Sequence, residues 1–137
     1  MAAKDLLIVD DEPLVCESLK EMLTMEGYRV DAVLNGQAAL EKLQEGEYHL
    51  VLSDIRMPGL NGIELLKELK GRCPDTAIIF ITGHGHIDGA VEAIKLGAYD
   101  YITKPIDDVR LKLTIAHALE QKDLHQSPNH PRIMMSD

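Results

Sequence analysis

No apolar run in these 137 residues approaches the length needed to cross a bilayer, so a transmembrane reading fails. The opening residues, Met1-Ala2-Ala3-Lys4-Asp5, lead straight into an apolar run too short for a secretory signal, and a cytoplasmic location is expected. Cysteine is scarce. Cys16 and Cys73 have neither metal nor redox spacing and are expected as ordinary reduced thiols. Basic residues are outnumbered, 14 Lys and Arg against 23 Asp and Glu, for a net charge of −9. Direct nucleic-acid binding needs clustered cations against phosphates and is disfavoured. A carboxylate-rich site and a solubilising surface both fit the same balance. No second domain, repeat or low-complexity segment is visible. The 45% hydrophobic and 27% charged content instead describes one globular domain with a real core.

The central stretch is Leu50-Val51-Leu52-Ser53-Asp54, an apolar run ending in a carboxylate, with the turn pair Pro58-Gly59 close behind. Leu6-Leu7-Ile8-Val9 repeats the pattern, ending at Asp10-Asp11-Glu12. Pro13 then suits a first helical turn, Leu14 to Leu23 has helical spacing, and Gly27 closes that helix. Tyr28 to Leu34 is a second strand, Asn35-Gly36 a turn, and Ala38 to Leu43 a helix ending near Gly46. Tyr48 to Ser53 is the third strand, and Ile63, Leu65, Leu66 and Leu69 mark the helix after it. Ala77 to Ile81 forms a fourth strand ending at Thr82, and Ala90 to Leu96 a helix ended by Gly97. Tyr99 to Thr103 is the fifth strand, followed by Lys104-Pro105 and a helix from about Asp107 to Lys122 with Leu111, Ile115 and Leu119 as its core row.

Five alternations of strand and helix predict a parallel sheet covered on both faces, with right-handed crossovers. Parallel strands share one carboxyl edge. That edge receives Asp10 and Asp11, Asp54, Thr82 and Lys104. Crowded carboxylates repel, and a hard cation such as Mg²⁺ relieves the repulsion. A Mg²⁺ site with Lys104 as countercharge for a phosphoryl group is therefore inferred. Asp54, at the tip of the central strand, is the best-placed nucleophile, and a carboxylate can itself accept a phosphoryl group. Thr82 is placed to donate its hydroxyl to a phosphoryl oxygen.

Asp10-Asp11, Asp54 with Met57-Pro58-Gly59, Thr82-Gly83 and Lys104-Pro105 together closely resemble a response-regulator receiver domain of two-component signalling, over Lys4 to Lys122. The stretches following Asp54, Thr82 and Gly97 are most similar to receivers of bacterial enhancer-binding, nitrogen-regulation type transcription activators. The resemblance implies a flavodoxin-like strand order 2-1-3-4-5 and residues 1–122 as the receiver; periodicity stops at about Gln126, and 123–137 is expected as a flexible tail. It implies that Asp54 accepts phosphate from a sensor histidine kinase. Asp11, Asp54 and the Arg56 main-chain carbonyl would bind Mg²⁺, with Asp10 in support. Thr82 and Lys104 would contact the phosphoryl oxygens, and Tyr101 would be the switch aromatic that answers movement of Thr82. Output would pass through the fourth helix, fifth strand and fifth helix, around Ala90 to Leu119, to an output domain or target protein, and a homodimer would use the same surface.

Bland alternatives stand beside these roles. Thr82 could simply end a strand, and Tyr101 could be core packing. His84 and His86 lack further metal ligands and are read as loop residues, His84 near enough to the phosphoryl site to affect hydrolysis. Val109, Leu113 and Ala116 lie off the core row and could face a partner subunit. A Mg²⁺-dependent phosphohydrolase is the rival function. It usually carries a second acid two residues after the nucleophile, where this chain has Arg56, and the chain lacks a cap domain. The expected function is a phosphorylation switch whose phosphoryl chemistry is self-catalysed, not an enzyme with a separate substrate. The residues leave open whether the chain acts alone or as the receiver of a longer transcription activator.

Overall fold

The computed structural model describes residues 3–83, 85 and 87–126. Strands and helices alternate as β1 (Asp5–Val9), α1 (Pro13–Met25), β2 (Arg29–Val33), α2 (Gly36–Glu45), β3 (Leu50–Asp54), α3 (Gly62–Arg72), β4 (Ala77–Thr82), α4 (Ile87–Lys95), β5 (Asp100–Thr103) and α5 (Asp108–Gln126). Every strand pairing is parallel and the order is β2-β1-β3-β4-β5. This is the doubly wound, flavodoxin-like arrangement that the sequence predicts.

Side chains alternate across a strand, so each buried run feeds two cores. Leu6, Ile8, Leu50, Leu52, Ile79 and Ile81 face one side, where α1 contributes Leu19 and Leu23 and α5 contributes Leu111, Ile115 and Leu119. Leu7, Val9, Val51, Ile78 and Phe80 face the other, covered by Leu40 of α2, Leu65, Leu66 and Leu69 of α3, and Ala90 and Ala93 of α4. Burying one Leu or Ile completely is worth about 1.5–3 kcal/mol, so the two layers hold the strand ends rigidly in register. That register aligns Val9 with Ser53, Asp54 with Ile81 and Thr82 with Thr103.

The sheet reverses its winding between β1 and β3, which carry Asp10 and Asp54 at their ends. Such a reversal opens a crevice at the carboxyl edge. The loop after β3 turns through Gly59 at φ +76°, a conformation glycine adopts without strain. Gly62 then begins α3 directly against β3: a Cβ there would lie 2.9 Å from the Asp54 carbonyl oxygen and 2.7 Å from Phe80. A capping box follows, with Asn61 accepting the Glu64 N–H and the Glu64 carboxylate accepting that of Asn61.

Several boundaries differ from the sequence expectation, α4 for example starting at Ile87 rather than Ala90. Asn35-Gly36 is a helix start rather than a free turn, because Asn35 Oδ1 accepts the Ala38 N–H at 2.7 Å and caps α2. β3 begins at Leu50 rather than Tyr48. The Tyr48 hydroxyl reaches across to Asp31, and the Thr76 hydroxyl donates to the Tyr48 carbonyl. α5 continues past Lys122 to Gln126, so the tail boundary set at residue 123 falls inside a helix. The remainder of that tail, residues 127–137, lies outside the described residues, as do His84 and His86.

Candidate functional site

Asp10 leaves the end of β1 still in register, its N–H donating to the Val33 carbonyl of β2. The apolar strand carries it inside, and it is only 1% exposed. Its Oδ1 accepts the Glu12 N–H at 2.9 Å. Its Oδ2 is buried and has no hydrogen-bond partner among the described residues. Asp11 is exposed beside it. Asp54, the last residue of β3, is 8% exposed; its Oδ1 accepts the Arg56 N–H at 3.1 Å and its Oδ2 lies 3.4 Å from Lys104 Nζ. Lys104 follows β5 directly, its N–H donating to the Thr82 carbonyl at 2.8 Å and its bond to Pro105 cis.

One oxygen from each of Asp10, Asp11 and Asp54 lies within 4.8 Å of the other two. Burial pushes the Asp10 carboxyl above its ordinary pKa, the Glu12 N–H opposing that and the charge of Asp54 adding to it. At Lys104, burial disfavours the ammonium, but Asp54, then Asp10 and Glu12, more than offset it and raise the pKa. The lysine is therefore a permanent cation at this edge. An all-oxygen cluster with one buried, unpartnered oxygen is the donor set a small hard divalent cation takes, so these three residues could hold Mg²⁺.

Thr82 ends β4, 1% exposed, with its Oγ1 donating to the Gly83 carbonyl at 3.3 Å. It shares the carboxyl edge with Asp54 and Lys104. Arg56 is exposed, with its N–H turned to Asp54. Tyr101 sits opposite Phe80 in the β4–β5 ladder, half-buried against the core layer that includes Ala90 and Ala93. All seven residues that the sequence singled out are at this edge except Tyr101, which lies two residues inside it on β5.

Three participants were not foreseen. Glu12 Oε1 lies 3.4 Å from Lys104 Nζ, as close as Asp54 does. The buried Ser53 hydroxyl donates to the Asp54 carbonyl at 2.9 Å and fixes the strand end. Gly62 provides the close approach beneath Asp54. Glu12 follows two acids at a strand end, but its partner is 92 residues away and only the shared sheet edge could have signalled it.

Fold and site together define a flavodoxin-like α/β domain with an acid–lysine pocket at its winding reversal. The family model for the response regulator receiver domain matches residues 6–116, and the chain belongs to that family, the receivers of two-component response regulators. It is 45% identical over 124 residues to the transcriptional regulatory protein ZraR of Klebsiella oxytoca, covering 90% of this chain and 28% of that protein. Against the transcriptional regulatory protein FixJ of Bradyrhizobium diazoefficiens it is 41% identical over 116 residues, covering 85% of this chain and 57% of that one. The chain thus spans between about a quarter and somewhat over half of these relatives. Among solved structures, NtrX from Brucella abortus superposes with a TM-score of 0.86 at 37% identity, over 91% of this chain and 28% of that one. A receiver domain protein from Clostridium thermocellum gives 0.86 at 32% identity, over 90% and 99%. No helix among the described residues is long and apolar enough to cross a membrane.

Proposed function

We propose that the chain is a phosphorylation-controlled switch in which Asp54 accepts a phosphoryl group from a partner histidine kinase. One observation carries the reading: a lysine ammonium stands 3.4 Å from Asp54 Oδ2 while three carboxylates converge within 4.8 Å. A carboxylate oxygen of Asp54 attacks phosphorus and forms an O–P bond as the bond to the kinase imidazole breaks, its electron pair returning to the ring nitrogen. Such transfer needs positioning and charge neutralisation more than covalent help. Lys104 supplies fixed positive charge to the phosphoryl oxygens, and the Thr82 hydroxyl exchanges the Gly83 carbonyl for one of them. Asp11, Asp54 and the Arg56 main-chain carbonyl, supported by Asp10, would hold Mg²⁺, which neutralises charge developing on the phosphoryl oxygens when bound. Water attack on the same phosphorus returns Asp54 and inorganic phosphate.

The phosphoryl group adds about −1.5 to −2 charges at one point. Drawing Thr82 and Lys104 toward it favours one arrangement of the β4 and β5 ends over another, with coupling of about 1–3 kcal/mol. Gly83 and Gly85 ease the backbone change after β4. Tyr101 moves with the space that Thr82 vacates and carries the change to α4, β5 and α5. Val91, Tyr99, Val109 and Leu113 leave that surface apolar and exposed, which supports its use toward an output domain, a target protein or a second copy. The regulators ZraR and FixJ are longer than this chain, which supports a receiver that governs transcription through a separate domain. A net charge of −9 supports placing the nucleic-acid contact outside this chain.

Incubation with Mg²⁺ and acetyl phosphate, followed by intact mass, tests the reading beside Asp54→Asn. The parent gains one phosphoryl group and the variant none. If neither acetyl phosphate nor a histidine kinase adds mass to the parent, the reading is wrong.

A further inference from the structure

Glu12 occupies the N-cap position of α1 but makes no side-chain cap. Its carboxylate instead crosses the edge to Lys104, 3.4 Å away and equidistant with Asp54. The Lys104 side chain is 32% exposed, and Asp54, Asp10 and Glu12 are the charges that act on it. One ammonium thus serves two carboxylates, one from the start of α1 and one from the end of β3. On the reading that Asp54 is the phosphoacceptor, only one of those two sites gains charge when the phosphoryl group arrives.

We propose that Glu12 is a positioning residue that shares the Lys104 ammonium with Asp54 and thereby opposes occupancy of the phosphoryl site. In the resting state, Glu12 holds Lys104 partly away from Asp54. A phosphoryl group draws the ammonium inward, stretches its pair with Glu12, and leaves a carboxylate facing a new anion. Each effect lowers phosphoryl occupancy, so Glu12 keeps the resting state favoured when donor is scarce. The Glu12 side chain is 61% exposed and its pair with Lys104 is screened, so the bias is modest.

The test uses beryllofluoride, a phosphoryl mimic, with the whole chain at saturating Mg²⁺, and bound ligand read by 19F NMR. Glu12→Gln and Glu12→Asp are compared with the parent. Gln keeps the length and loses the charge; Asp keeps the charge and falls one methylene short of Lys104. Both are expected to bind the mimic about two- to five-fold tighter than the parent, the range that exposed ion pairs allow. The difference should narrow in concentrated salt. Mg²⁺ affinity, measured without the mimic, should be unchanged or weaker, a split that a general change in fold would not produce. The proposal is overturned if both variants match the parent or bind less tightly. It is equally overturned if Glu12→Asp matches the parent while Glu12→Gln tightens, since the effect is then through-space charge and not capture of Lys104. A parent that binds no beryllofluoride and gains no phosphoryl mass overturns this proposal together with the phosphoacceptor reading. A parent that takes up both while the variants do not tighten overturns the role of Glu12 alone.

Discussion

Replacing Asp10 by asparagine removes a buried charge while keeping the side chain's shape. The Oδ1 bond to the Glu12 N–H survives as an amide carbonyl contact. The unpartnered Oδ2 becomes an N–H₂ group, and the cluster with Asp11 and Asp54 loses one of its three charges. An unsatisfied buried polar group costs about 1–3 kcal/mol, so Asp10→Asn should stabilise the metal-free protein by about 1–2 kcal/mol at pH 7. For a domain of this size that raises Tm by roughly 4–8 °C. The sign with pH follows from the raised pKa of Asp10, which burial causes first and the charge of Asp54 reinforces. The folded state binds this proton more tightly than the unfolded chain, whose value is near 3.8. The parent therefore recovers stability as pH falls through the folded pKa toward 3.8, so the variant's advantage should be complete above the folded pKa, fade between the two values and be gone below 3.8. Added Mg²⁺ should reverse the ranking, because a ligand of the folded state stabilises it in proportion to its affinity. Urea or thermal unfolding at several pH values, with and without Mg²⁺, measures all of this. A variant less stable than the parent at pH 7 without metal, or an advantage independent of pH, would refute the reasoning.

Gly62→Ala should destabilise by about 2–3 kcal/mol, because the new methyl meets the Asp54 carbonyl oxygen and the Ile55 Cα as well as Phe80; urea unfolding measures this, and slower phosphoryl uptake should accompany it. Asn61→Ala breaks the capping box at the start of α3 and should cost about 1 kcal/mol in the same experiment, with phosphoryl uptake little changed. Thiol alkylation followed by mass should label the half-buried Cys73 first and leave Cys16 protected, because Cys16 is 5% exposed, bonded to the Asp10 carbonyl, and its thiol pKa is pushed up by burial. Ile115→Ala, at a fully buried α5 position, should cost about 2–5 kcal/mol by thermal unfolding.

Strands were legible because a strand covered on both faces must be apolar along its whole length, and Leu6 to Val9 and Ala77 to Ile81 show that directly. Parallel order then gathers the residues after those runs at one edge, which is why Asp10, Asp54, Thr82 and Lys104 could be placed together from sequence. Boundaries were less legible where a side chain decides them. Asn35 reads equally as a turn or a cap until Ala38 is seen to donate to it. Tyr48 has strand propensity, but its hydroxyl is committed to Asp31. Glu12 was missed for a different reason. Its role depends on a partner 92 residues distant, and no local pattern encodes that pairing.

The winding reversal between β1 and β3 has a consequence for how the protein comes to exist. Asp10, Asp54 and Lys104 stand on three strands, and the pocket closes only when β5, the outermost strand next to β4, has joined the sheet. A nascent chain that has made β1 to β3 already holds the acids but lacks the cation beside them. On the proposed reading, competence to take up a phosphoryl group therefore waits until β5 has joined the sheet.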